Sequence, residues 1–268
     1  MPEYALSRQQ QIDILSEALR GFEPALAAWL GGSDASGRTD EFSDIDIQAI
    51  VPDNEVEAAF AAIHAALQAR APIAHRYRFP EPTWHGHSQE ILAMEGADPD
   101  HFIDLVIMKQ STPDRLLEIE RHGRPMVIFD KGGHLLPPPL DWPAHRAKVL
   151  KRLETLSAQF EMLQALPAKA VKRGLPVEAA ASYQSLCYRP LIDLLRIRHC
   201  PLRFDYGLRY LDRDLPDAWR RELEDLALPA SLEEVDLCRL RVAELFLGEL
   251  AALERGEWSV PEEQPLDR

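Results

Sequence analysis

Asp44 and Asp46 stand two residues apart in the run Ser43-Asp44-Ile45-Asp46-Ile47-Gln48-Ala49-Ile50-Val51. Its polar/apolar alternation predicts a β-strand, where residues two apart share a face. Both carboxylates then point one way, and Ile45 and Ile47 point the other way into a core. At roughly 4 Å and an effective dielectric near 20, two such charges repel by about 4 kcal/mol. The pair is therefore either fully solvated or neutralised by a cation. A third carboxylate, Asp104, lies within the apolar run His101-Phe102-Ile103-Asp104-Leu105-Val106-Ile107-Met108. It is either a solvated strand-edge residue or a buried one that needs a partner. If the two strands are neighbours, three hard oxygen ligands converge. That set suits Mg²⁺, which keeps some of its water and takes phosphate oxygens from a nucleotide.

A second element is the turn Gly31-Gly32-Ser33-Asp34-Ala35-Ser36-Gly37, which follows the apolar stretch Ala25–Leu30. Free backbone N–H groups and a hydroxyl at such a strand end can hold phosphate oxygens. Glycine there lets the backbone come close to a phosphate. A Gly-Ser pair alone is no more than a turn.

Taken together, Gly32-Ser33-Asp34-Ala35-Ser36-Gly37 followed by Ser43-Asp44-Ile45-Asp46 resembles the Gly-Ser…Asp-x-Asp signature of the DNA polymerase β-like nucleotidyltransferase superfamily. Ile103-Asp104-Leu105 looks like its third carboxylate strand. A looser likeness extends to antibiotic nucleotidyltransferases of the aminoglycoside and lincosamide type, which follow the catalytic domain with a helical one. The resemblance implies that Asp44, Asp46 and Asp104 hold two Mg²⁺ ions and that Asp104 is general base toward an acceptor hydroxyl. It implies that Gly32 and Ser33 hold the β- and γ-phosphates of ATP or another NTP, whose α-phosphorus the hydroxyl attacks in line with release of pyrophosphate. The implied product carries a nucleoside monophosphate, AMP from ATP, on a small molecule such as an aminoglycoside-like antibiotic, a resistance function. One departure stands out: family members often carry Arg inside the turn, where Asp34 and Ser36 stand here. Arg38 is the nearest cation and the expected substitute.

These residues need a scaffold. Helical spacing predicts a helix over residues 7–20, and Asp53 as N-cap predicts another over 53–69. Strands are expected near 25–30, 44–51, 72–79, 84–94, 101–109 and 125–130, with a short helix near 113–121. Beyond Lys131-Gly132-Gly133 and the triple proline 137–139, the pattern turns helical at about 143–166, 176–199, 216–227 and 231–254. Pro190 should break or kink the second of these. The expected class is α+β: a nucleotidyltransferase domain over 1–137, with a mixed sheet and flanking helices, then a helical, substrate-binding bundle over 138–268.

Charge is distributed unevenly. The chain of 268 residues has a formal charge of −14. Residues 1–140 hold 11 basic against 22 acidic residues, whereas residues 146–213 hold 13 against 6. Nucleic acid and anionic membranes are disfavoured partners, and the acidic excess would attract a polycationic acceptor. The basic segment is where cations closing over a triphosphate are expected: Lys151 and Arg189, with Lys148, Arg152, Arg196 and Arg198 as further candidates. Three cysteines without C-x-x-C spacing, no spanning apolar run and an N-terminus without signal-peptide character point to a cytoplasmic protein with reduced thiols. The oligomeric state is open. His85-x-His87 reads as paired solvent-facing histidines rather than metal ligands. Two other functions compete: an antitoxin-type enzyme that AMPylates a protein hydroxyl, and a non-catalytic nucleotide-binding module. The ribonuclease spacing of a fused toxin is missing around His199.

Overall fold

In the computed structural model, residues 5–258 are described, and they divide into two compact units, Met1–Leu140 and Asp141–Arg268. The chain ends assigned by sequence to the two domains, 1–4 and 259–268, lie outside the described residues. The class is α+β: a mixed six-stranded sheet with flanking helices, then an all-helical unit. No described helix is long and apolar enough to cross a membrane.

The first unit runs α1 (Arg8–Gly21), β1 (Ala27–Leu30), α2 (Gly32–Ser36), β2 (Ile45–Val51), α3 (Val56–Gln68), β3 (Ile73–Arg78), β4 (Ser88–Met94), β5 (Ile103–Lys109), α4 (Ile119–His122) and β6 (Met126–Asp130). Strand order is β3-β4-β5-β2-β1-β6. Only β2 and β5 are parallel; every other neighbouring pair is antiparallel. The parallel pair arises because the chain leaving β2 returns through α3 and the β3–β4 hairpin before β5 enters beside it, the long crossover that parallel strands need.

Strand alternation divides the sheet into two unlike faces. Ile45, Ile47, Ala49 and Val51 join Ile103, Leu105 and Ile107 beneath α1 and α3, which contribute Leu15, Leu19, Phe60, Ile63 and Leu67 to the same core. The opposite face carries Asp46 and Gln48, then Ile50, Val106, Met108 and Trp29, covered by Leu117 and Leu135. The helix-covered face of β2 and β5 is therefore apolar, whereas the other face closes only over its far end. Glu90 is the exception beneath α3, where His64 (2.6 Å) and Arg78 (3.4 Å) hold its carboxylate.

One expectation needs correction. Asp53 does not cap α3, whose N-cap is Glu55; instead it accepts hydrogen bonds from the Ser111 amide (3.1 Å) and hydroxyl (2.6 Å). Residues 131–135 are held to the end of β6: Asp130 accepts from the amides of Gly132, His134 and Leu135, and Leu135 is buried.

The second unit contains α5 (Trp142–Leu163), α6 (Ala165–Lys172), α7 (Pro176–Tyr183), α8 (Arg189–His199), α9 (Leu211–Asp214), α10 (Asp217–Ala227) and α11 (Leu232–Glu254). Pro190 does not break the chain's helical course. A π-helical turn, Gln184–Tyr188, precedes it, and Gln164 donates to the Leu186 carbonyl (3.1 Å) that a non-proline amide at 190 would bond. Orphan carbonyls at the end of α10 are met by side chains: Tyr188 bonds Leu223 O (2.9 Å), Tyr183 bonds Leu226 O (2.6 Å) and Gln184 bonds Ala227 O (2.6 Å).

Arg196, offered above as a phosphate contact, is instead fully buried. It donates to Asp214 (3.0 Å) and to the carbonyls of Gly207 (2.6 Å), Arg203 (3.3 Å) and Arg209, while Arg203 donates to both oxygens of Asp214. The segment 200–214 is thus wound around one guanidinium. Removing a single partner from a buried ion pair costs about 3–5 kcal/mol. Asp214→Ala is expected to lose that much in denaturant unfolding followed by helical circular dichroism.

Candidate active site

The site forms on the open face of the sheet, at the starts of β2 and β5. Asp46 and Asp104 are register partners across the two parallel strands, so their side chains leave the sheet side by side on the same face. Asp44 precedes β2, close enough for its charge to act on Asp104. Both Asp46 and Asp104 are half-buried. The neighbourhood inferred from two separate sequence runs is therefore present in the sheet. Among the described residues, no group of three or more His, Cys, Asp or Glu side chains is drawn together as a ready cation cage.

The glycines of the turn have a role that sequence did not reveal. Gly31 and Gly32 lie against the side chains rising from β2. A Cβ on Gly31 would come within 2.7 Å of the Gln48 amide, and one on Gly32 would fall onto a carboxylate oxygen of Asp46. Gly32 also has φ +49, a left-handed conformation that glycine adopts at least cost. The turn is tied to β2 by the bond from Gly31 N to Asp46 O, 2.9 Å. Next to it, Ser33 is buried and its hydroxyl has no hydrogen-bond partner.

Arg8, at the start of α1, was not singled out by sequence. Its guanidinium donates to the carbonyls of Ser43 (3.0 Å) and Asp44 (2.7 Å) and to both oxygens of Asp34 (3.3 and 2.5 Å). The unusual acid in the turn is therefore matched by an internal cation, which also fixes the approach to Asp44. Arg38 is half-buried, and its amide bonds Ser33 O at 2.9 Å.

Asp104 has a neutral partner. A single nitrogen, Gln89 Nε2, donates to both its oxygens at 2.7 and 3.0 Å. Burial pushes the Asp104 carboxyl above its ordinary range; the Gln89 bond pulls the other way and the Asp44 charge adds to the rise. His85 and His87 do not face solvent as a pair on a strand. They precede β4 with their rings stacked at 5.0 Å, and His87 is only 2% exposed. Burial lowers its pKa to about 4.

Of the other expected cations, Arg152 pairs with Asp193, and Arg198 pairs with Glu249 and Glu257. Lys151 on α5 and Arg189 at the start of α8 are both exposed.

No family model and no curated protein matches the chain. Among solved structures it is similar to an aminoglycoside 6-adenyltransferase from Bacillus subtilis, with TM-score 0.37 and 15% identity over 95% of this chain and 93% of the other. It is also similar to a nucleotidyltransferase-like protein from Exiguobacterium sibiricum, with TM-score 0.36 and 12% identity over 95% of this chain and 81% of that one.

Two outcomes are expected from this geometry. Gly32→Ala must displace Asp46 and adopt a disfavoured backbone, so a loss of about 1–3 kcal/mol in chemical unfolding is expected. Asp104→Asn should raise the melting temperature at neutral pH. A carboxyl whose pKa is raised by folding keeps a proton that the unfolded chain releases. Stability therefore falls as pH climbs from the ordinary carboxylate range through the folded value, and it stays lowered above that. The asparagine variant lacks this step, and identical melting-temperature profiles against pH for the two proteins would contradict the assignment.

Proposed function

We propose that the chain is a Mg²⁺-dependent nucleotidyltransferase that moves a nucleoside monophosphate, AMP from ATP, onto the hydroxyl of a small molecule and releases pyrophosphate. One observation carries this reading: Asp46 and Asp104 are matched in register on the parallel pair β2–β5, with Asp44 beside them. The donor set fits the metal. Three carboxylates are hard oxygen ligands, and Gly32 lacks the Cβ that would collide with Asp46. Asp44, Asp46 and Asp104 would hold two Mg²⁺ ions, which supply Lewis-acid neutralisation of the triphosphate when bound.

The chain's own groups account for the remaining steps. The Ser33 hydroxyl, buried without a partner, and the Gly32 backbone are assigned to the oxygens of the departing phosphates. Asp104 takes the proton of the acceptor hydroxyl as its oxygen bonds the α-phosphorus and the bond from that phosphorus to the bridging oxygen of pyrophosphate breaks. The acidic excess of residues 1–140 favours a polycationic, aminoglycoside-like acceptor. With label in the α-phosphate of ATP, the chain, Mg²⁺, an aminoglycoside panel and cell extract should yield a labelled small molecule. Label on a protein would instead support the antitoxin-type reading, and no transfer would leave a binding module. Asp104→Asn and Asp46→Asn are each expected to lower turnover by about 10²–10⁴-fold. Lys151→Ala and Arg189→Ala should weaken ATP binding.

A further inference from the structure

We propose that His85 and Gln89 form a relay that fixes the orientation of the Asp104 carboxylate, which makes both of them positioning residues for the base. Assigning a catalytic purpose to this relay rests on the function proposed above; the relay's existence does not. Its logic runs inward from the backbone. His85 Nδ1 lies 3.1 Å from Thr83 Oγ1 and takes the His87 amide N–H at 3.1 Å, and the amide donor calls for a lone pair on that nitrogen. Thr83 directs its hydroxyl to the His87 carbonyl (2.5 Å) and holds the same loop closed. With Nδ1 accepting, the ring donates through Nε2–H, which lies 3.1 Å from Gln89 Oε1. That bond sets the amide orientation: Oε1 faces His85, and the NH₂ faces Asp104, where one nitrogen spans both carboxylate oxygens.

Register explains why Gln89 can reach. It pairs with Val106 and Ile91 pairs with Asp104, so Gln89 is the diagonal neighbour of Asp104 on the same face. The chemistry explains why glutamine suits the position. Asp46 stands opposite Asp104 and would repel it, so the carboxylate needs a tether. A Lys or Arg tether would neutralise the carboxylate and compete with any cation for it. A neutral amide orients the group and leaves its charge intact.

Two measurements on the full chain test the relay. In nitrogen and carbon NMR without nucleotide, His85 should show the Nε2–H tautomer. The Gln89 side-chain NH₂ should exchange faster with solvent in His85→Phe and in Asp104→Leu than in the parent. A proton on Nδ1, or unchanged exchange in both variants, would overturn the relay whatever the protein's activity. In pyrophosphate release with ATP, Mg²⁺ and kanamycin, Gln89→Leu should lower kcat about 10–100-fold, the usual loss for a group supporting a ligand from behind. KM for ATP should stay within about twofold, a split that a general loss of fold would not give. The double variant His85→Phe/Gln89→Leu should lose no more than the worse single one, because both act through one bond. His85→Gln, which can still donate to Gln89, should retain most of the rate. Wild-type kcat in Gln89→Leu, or losses that multiply in the double variant, would remove the positioning role. A parent chain inactive with every acceptor would refute the proposed function and leave the NMR outcome to decide the relay.

Discussion

Matching Asp46 with Asp104 in register is the constraint to which the rest of the first unit answers. Like charges directly opposite one another on neighbouring strands are unfavourable, and here the parallel pairing of β2 and β5 enforces the juxtaposition. The sheet can sustain it because the other face of β2 and β5 is apolar. Ile45, Ile47, Ile103, Leu105 and Ile107 are completely buried beneath α1 and α3. A one-residue slip in either strand would put an aspartate into that core and an isoleucine at the open face. Burial of one face thus fixes the acids on the other, and stability gained in the core sustains repulsion at the site.

The surroundings of Asp104 hold it through a neutral group. Arg8 bonds the backbone carbonyls of Ser43 and Asp44 and the side chain of Asp34. It fixes the segment leading into β2 and matches the acid inside the turn. The Asp104 carboxylate is held by an amide. Gly31 and Gly32 contribute by what they lack, leaving room for the Gln48 and Asp46 side chains. A fixed geometry and an elevated carboxyl pKa at Asp104 are consistent with the cation site proposed above.

The acids were legible in the sequence because the signal was local. Alternation around Asp44 and Asp46 and an apolar run around Asp104 suffice to place each on a strand, and the turn lies close in the chain. What escaped notice was non-local. Arg8 lies 35 residues from Ser43 in sequence, and Gln89 lies 15 from Asp104. Neither spacing has a periodic signature, and both meet their targets only after the sheet has assembled. Asp53 illustrates the converse: a plausible cap by position, it was drawn to Ser111, 58 residues on. Pro190 was readable as a disturbance, but its accommodation by a π-helical turn and the distant Gln164 was not.

Two aspartates, Asp104 and Asp214, show that burial alone does not set a carboxylate's character. Asp214 is enclosed with two guanidiniums, and its pKa is held down: burial pushes up, but hydrogen bonds and charge from Arg203 and Arg196 outweigh it. Its charge is consumed in winding one segment around Arg196. Asp104 is tethered by a neutral donor and its pKa is raised, so it keeps an affinity for protons and cations that Asp214 has lost. The same distinction explains why the basic excess of residues 146–213 overstates the cations open to a ligand. Arg152, Arg196 and Arg198 are committed to Asp193, Asp214, Glu249 and Glu257. Net charge counts residues, whereas binding depends on those whose charge the fold has left unspent.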